Sequence, residues 1–283
     1  MYQPDRELLR IVPNVLRARD FHLYLANGKR LTDLWLQGGK AVLGHKPPKV
    51  LMELKNAAER GLFASFPHPL EKRFLKALEQ FFPDRTFRLY IDDTSLRHAL
   101  CEAGFDSTTP LPDPAFPPGR NANIKVSVSL WRPFGEPPGS DELKAPILIP
   151  VLPWPLSPSV LVLDKSLEAS FPIGEIIPPV LLAPATRALY ALAAKIRIPD
   201  RQHFHKIEKT LREQMASERN SGENIWYHRG IYLTTNTRKT QYEELFMRFL
   251  ESGFLLPPSN SEPLILPASM SKGEEAKLAE LLR

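Results

Sequence analysis

Two neighbouring acids, Asp92 and Asp93, stand between an apolar stretch and a run with helical spacing. A carboxylate at a helix start accepts the free N–H groups of the first turn, and so occupies the donors that would otherwise hold an anion. Asp164 and Lys165 form a second suggestive pair, an acid beside an amine. If the two side chains meet, the carboxylate keeps the lysine protonated, whereas a nucleophilic lysine needs its free amine. His203 and His205 are two apart, face different sides of a helix and cannot share a metal. His45, after Gly44, reads as a turn residue, and His68, between Pro67 and Pro69, as a loop histidine. Trp131, Trp154 and Trp226 read as core or dimer contacts. Cys101 is the only cysteine, which excludes an internal disulfide and a cysteine-based metal site. The sequence has no P-loop, no G-x-G-x-x-G, no G-x-S-x-G and no His/carboxylate spacing of a metal enzyme, so no metal site is expected.

The elements that must position these groups follow from periodicity and turn chemistry. Phe21 to Leu25 is extended and meets Asn27-Gly28, a pair that tolerates positive φ and predicts a tight hairpin. A second apolar stretch runs through Leu34, Trp35 and Leu36 to Gly38-Gly39 and Gly44-His45. Pro47 and Pro48 then open a helix with Val50, Leu51, Leu54 and Ala58 inward and Gly61 as its stop. Leu70 to Phe82 predicts a second helix, Thr86 to Ile91 a strand, and Leu96 to Ala103 a third helix. Between Ser107 and Pro184 lie 17 of the 29 prolines, with short strands only at Lys125–Leu130, Ile147–Leu152 and Val160–Leu163. Helical period returns from Pro184. Asp200 is placed to cap a helix with Phe204, Ile207, Leu211 and Met215 inward, and Ser217 to Glu223 reads as a polar linker. In the last block Gly230–Thr234, Phe254–Leu256 and Pro263–Leu266 read as strands. Thr240 with Glu243 and Ser271 with Glu274 read as capping boxes. The first box opens a helix with Tyr242, Leu245, Phe246 and Phe249 inward and Gly253 as its stop.

Composition bounds the rest. With 43% apolar and 24% charged residues over 283 positions, the chain is an ordinary globular one, long enough for one large or two small domains. The net charge of +5 is scattered, without the aromatic interleaving of a nucleic-acid binder, so no nucleic-acid partner is expected. Ala145 to Leu163 carries no charge before Asp164 and is long enough to span a bilayer, but its five prolines would each cost a helix about 3 kcal/mol or more, so no membrane span is expected. The N-terminus lacks the apolar run of a signal peptide, and a cytoplasmic location is expected.

The order Gly28 to Asp33, Gln37-Gly38-Gly39, then Leu43-Gly44-His45 with Pro48 and Val50 resembles the N-terminal part of class III aminotransferases, the glutamate-1-semialdehyde aminomutase branch in particular. The segment from Ser252 to Leu282 is similar to the C-terminal small domain of the same family. The resemblance implies an α/β, PLP-dependent transferase-like protein (fold type I). Its large-domain sheet would be reduced, and its α+β small domain would come from both chain ends. The expected division is 1–83 and 200–283 for the small domain and 84–199 for a Pro-rich large domain. Family members are dimers with sites at the interface, which implies a homodimer, or a heterodimer with a full-length relative.

The resemblance also assigns roles. Leu163 to Glu175 lies on the family's Schiff-base segment and puts Lys165 at the catalytic lysine, with Pro172-Ile173-Gly174 on the following turn. Gln37, Gly38 and Gly39 fall on the substrate-side loop. Arg88 to Leu96 falls on the phosphate-binding turn, with Thr94 kept but Asp92 and Asp93 where Ser and Gly belong. A carboxylate about 4 Å from a phosphate charge costs on the order of 4 kcal/mol at an effective dielectric of 20. The family's "D-E-V" partner for the pyridine nitrogen is absent between Asp93 and Lys165. Only about seventy residues separate Thr94 from Lys165, roughly half of what the family uses. These departures favour a degenerate pseudoenzyme without cofactor and with a scaffold or binding role. The alternatives are a compact pyridoxal phosphate enzyme using Lys165 and a module whose Pro-rich middle docks a partner.

Overall fold

The computed structural model describes residues 6–105, 111–117, 127–135, 145–197, 202–221 and 226–283. The chain divides into two compact units. One comprises the described residues of 46–114 and 118–198; the other holds 115–117 and the described residues of 2–45 and 199–283.

The second unit begins with α1 (Arg6–Ile11), β1 (Val15–Arg19), β2 (His22–Leu25) and β3 (Arg30–Asp33). β2 and β3 form the expected hairpin, with Gly28 at φ 77° and its N–H donating to the Leu25 carbonyl. The strand β1, with only one partly buried residue, gives no alternation to read and was not expected. After β3 the chain does not stay extended. Leu36 to Gly39 is a 3₁₀ turn in which Leu36, Gln37, Gly38 and Gly39 all have positive φ.

The first unit carries the sheet that matters for chemistry. Pro47 and Pro48 open α2 (Pro48–Glu59), and Gly61 follows it at φ 70°. Val50 and Ala57 are its buried residues, whereas Leu51, expected inward, is exposed. Then come α3 (Leu70–Glu79), β4 (Arg85–Tyr90), α4 (Asp93–Glu102), β5 (Val128–Trp131), β6 (Ile147–Pro150), β7 (Ser159–Asp164) and α5 (Pro179–Arg197). The strands lie in the order β4-β7-β6-β5. β7 is antiparallel to both neighbours and β5 is parallel to β6, so β4, β5 and β6 all run one way. One sheet face places Leu148, Val160 and Val162 against Phe74, Leu78, Leu182 and Leu189 of α3 and α5. Residues 46–83 pack with this sheet. Helix α5 begins at Pro179 rather than Pro184, which sits buried inside it. The described part of the Pro-rich middle supplies three of the four strands, with Ile147, Leu148 and Val160 to Leu163 fully buried.

The second unit resumes with α6 (His205–Ser221), β8 (Trp226–Arg229), β9 (Tyr232–Thr235), α7 (Lys239–Glu251), β10 (Phe254–Leu255), β11 (Leu264–Ile265) and α8 (Lys272–Leu281). β10 joins β3 in parallel to complete a four-stranded sheet, and β11-β9-β8 form a second. Asp200 lies outside the described residues; Phe204, Ile207 and Leu211 are buried as expected. Residues 217–221, read as linker, continue α6. The cap of α7 lies two residues earlier than Thr240 and Glu243: the Arg238 N–H donates to Gln241 Oε1 at 3.2 Å.

At α8 the capping box forms as expected. The Glu274 N–H donates to Ser271 Oγ, and the Ser271 N–H donates to Glu274 Oε2 at 2.8 Å. The same carboxylate accepts from His22, Arg30 and Thr32 at 3.0, 2.9 and 3.0 Å, which ties α8 to the β2–β3 hairpin. Burial would raise its pKa, but the bonds from Ser271, His22 and Thr32 outweigh that and lower it from 4.5 to about 2. Glu274 therefore adds stability above its unfolded pKa that is lost as pH falls through its folded value. Replacing it by Gln keeps an acceptor for the Ser271 N–H and removes the charge. Glu274→Gln is expected to lose on the order of 1–2 kcal/mol at neutral pH and to flatten the acid limb of a pH-dependent denaturation series. An unchanged acid limb would refute this assignment.

Candidate functional site

In open α/β sheets, ligands are met beyond the carboxyl ends of the parallel strands. In the first unit that edge carries Asp92 to Thr94 after β4, Arg132 after β5, residues 151–158 after β6, and Ser159 where β7 enters.

Asp92 is the N-cap of α4. Its Oδ1 accepts from the N–H groups of Thr94 at 2.8 Å and Ser95 at 2.9 Å. Those are the free first-turn donors that could have held an anion. Asp93, in the first turn, accepts from Ser159 Oγ at 2.5 Å. Glu175 Oε2 accepts from the Ile91 N–H at 2.6 Å, so three carboxylates crowd the end of β4. Gly174 lets this last segment lie along the strand: a Cβ there would meet Leu89 N and O at 2.8 Å. After β5, Arg132 and Asp113 form a bidentate pair, Nε to Oδ1 and Nη2 to Oδ2 both 2.7 Å, with side chains only 3% and 1% exposed.

Three buried donors at this edge have no partner among the described residues: Tyr90 Oη at the end of β4, and Trp154 Nε1 and Ser157 Oγ in the β6–β7 connection. Burial raises the Tyr90 pKa against the opposing pull of Arg88, with Glu175 and Glu102 adding to the rise. The phenol thus keeps its proton.

Lys165 is elsewhere. The β4–β7 register pairs Arg85 with Asp164 and Tyr90 with Ser159. Lys165 follows Asp164 and so stands at the opposite end of the strand pair from Asp92 to Thr94. Five residues at about 3.4 Å each separate the two ends by about 17 Å. Asp164 does not engage Lys165 either: it accepts from Arg85 Nη1 at 2.6 Å, and Lys165 pairs at 3.7 Å with Asp84 in an exposed contact. Lys165 itself opens a 3₁₀ segment, Lys165–Ser170.

The third group, Gln37 to Gly39, belongs to the other unit. There Asp33 Oδ1 accepts from the N–H groups of Trp35 and Leu36, and Asp33 Oδ2 is 2.8 Å from His45 Nε2. Trp35 Nε1 donates to Glu262 Oε2 at 2.6 Å, and a Cβ on Gly38 would lie 3.2 Å from that oxygen. The structure thus brings Asp92, Asp93 and Thr94 together and separates them from Lys165. Ser159, Glu175 and the Arg132–Asp113 pair were missed, because each meets a partner far away in sequence.

Among the described residues, those at this edge do not fit pyridoxal phosphate. The first-turn donors of α4 are taken by a carboxylate, and residues 151–158, which cross the carboxyl edge after β6, contain no lysine.

No family model matches the chain. A Treponema pallidum protein described as uncharacterized is 26% identical over 297 residues, spanning 92% of this chain and 91% of its own length. Glutamate-1-semialdehyde 2,1-aminomutase of Thermus thermophilus is 34% identical over 71 residues, 25% of this chain and 17% of that enzyme. Among solved structures, Plasmodium falciparum ornithine delta-aminotransferase superposes with a TM-score of 0.68 at 12% identity, covering 99% of this chain and 93% of that one. A glutamate-1-semialdehyde-aminomutase from Pseudomonas aeruginosa in complex with PMP superposes with a TM-score of 0.65 at 13% identity, covering 96% and 86%. The chain has the fold of PLP-dependent aminotransferases, fold type I.

Removing the α4 cap with Asp92→Ala is expected to cost about 1 kcal/mol in denaturant unfolding, and Lys165→Ala less than about 0.5 kcal/mol. The reverse order would contradict these placements.

Proposed function

We propose that this chain is a degenerate class III aminotransferase-like protein, a pseudoenzyme that keeps the fold as a scaffold or binding surface and has lost pyridoxal phosphate chemistry. One observation carries the reading: the β4–β7 register, which puts Lys165 and the α4 N-terminus at opposite ends of the strand pair. An amine about 17 Å away along the strands cannot bond a ring whose phosphate sits at Thr94. Asp92, Asp93 and Glu175 further disfavour a phosphate at that edge. The unpartnered Tyr90, Trp154 and Ser157 donors support a binding role, since each buried donor left unmade costs about 1–3 kcal/mol that an accepting group would recover.

The assembly in this reading is a homodimer, or a heterodimer with a full-length relative. Its support is the exposed apolar surface of Leu51 and Met52 on α2 with Phe63 and Phe66 just beyond it. Among the described residues no helix is long and apolar enough to cross a membrane. Light scattering of the purified chain is expected to give twice the chain mass, and Phe63→Glu with Phe66→Glu to give the single mass. A wild-type monomer would refute the homodimer.

The chemical test uses the whole purified protein mixed with pyridoxal phosphate, followed by borohydride reduction and peptide mapping. The expected result is no aldimine absorbance and no adduct on Lys165. An absorbance that reduction fixes on Lys165, and that Lys165→Ala abolishes, would overturn the reading.

A further inference from the structure

A cavity of about 300 Å³ lies in the first unit between the end of α2, the start of α3 and α5. This volume is at the lower end of small-ligand sites. Arg60 caps the end of α2 and Arg73 lies in the first turns of α3, and both residues line the cavity. Among the described residues neither guanidinium has an ion-pair or side-chain hydrogen-bond partner, although Glu53 lines the same wall. Each therefore keeps its donors for something else.

His68 adds a further donor. Its Nδ1 accepts the Leu70 N–H at 3.1 Å, which caps α3. With Nδ1 accepting, the proton sits on Nε2, and His68 too lines the cavity. The remaining wall includes Leu62 and Ala183, which offer apolar surface to a carbon skeleton.

We propose that this cavity binds a small organic anion, a phosphate monoester or a dicarboxylate, held between Arg60 and Arg73 with His68 as a further donor. Planar guanidinium forks match both oxyanions in bidentate fashion, and two of them on opposite helices favour a doubly charged ligand over a single carboxylate. The site is separate from the carboxyl edge of the sheet, and its existence does not depend on whether the chain is a pseudoenzyme.

The test is isothermal titration of the full chain with glycerol phosphate and, separately, with glutarate. Binding of one of them is expected, with at least a tenfold loss of affinity in Arg60→Gln and in Arg73→Gln. Arg212→Gln, an exposed arginine on α6 paired with Glu208, is expected to leave the affinity unchanged. His68→Asp keeps an acceptor for the Leu70 N–H while placing a carboxylate at the site. It is expected to abolish binding without lowering the melting temperature. The proposal is overturned if neither compound binds, or if the affinity survives both arginine substitutions or falls as much in Arg212→Gln.

Discussion

Six backbone pairs between β4 and β7 govern what the first unit can do. Register in a sheet is discrete, so a strand cannot drift toward a more useful alignment without turning its buried side chains outward. Here Val160 to Leu163 are fully buried, and a one-residue slip would turn the Val160 and Val162 face away from α3 and α5. Arg85 fastens the amino end of β4, donating to Asp164 and to the carbonyls of Ala145 and Pro146. The far end is held by Ser159 and Asp93. With both ends fixed, the amine after β7 and the helix start after β4 stay apart.

The second unit keeps costly features where the resemblance places a substrate-side loop. Leu36 and Gln37 adopt φ of 46° and 51°, a region worth of order 1–3 kcal/mol of strain for each side-chain-bearing residue. Asp33 offsets this by accepting the N–H groups of Trp35 and Leu36, and Glu262 holds the Trp35 indole. Glu274 then joins α8 to the hairpin that leads into the loop. The carboxyl edge of the first unit, by contrast, has its phosphate-type donors closed by Asp92. One unit thus keeps a strained loop braced by carboxylates, and the other has the first-turn donors of α4 closed by a carboxylate.

Local signals were legible in the sequence. Asn27-Gly28, Pro47-Pro48, Gly61, Gly253 and the Ser271–Glu274 box each act within a few residues, and each marks an element boundary in the structure. The helix cap at Asp92 was readable for the same reason. Fold type I was legible from the ordered pieces at the two chain ends. What the sequence hid was pairing across distance. An ungapped match around Lys165 says nothing about strand direction, and β7 runs against its neighbours. The membership of α2 and α3 in the first unit rests on packing against α5, more than a hundred residues later. The edge strand β1 and the short β8 lacked the alternation that identifies a strand.

The most direct measurement is a crystal structure of the full chain grown in excess pyridoxal phosphate. The account predicts that Asp92 still accepts the Thr94 and Ser95 N–H groups, with Lys165 beside Asp84 and no ring at the carboxyl edge. A phosphate seated on the first turn of α4, with its pyridine ring bonded to the Lys165 amine, would contradict it.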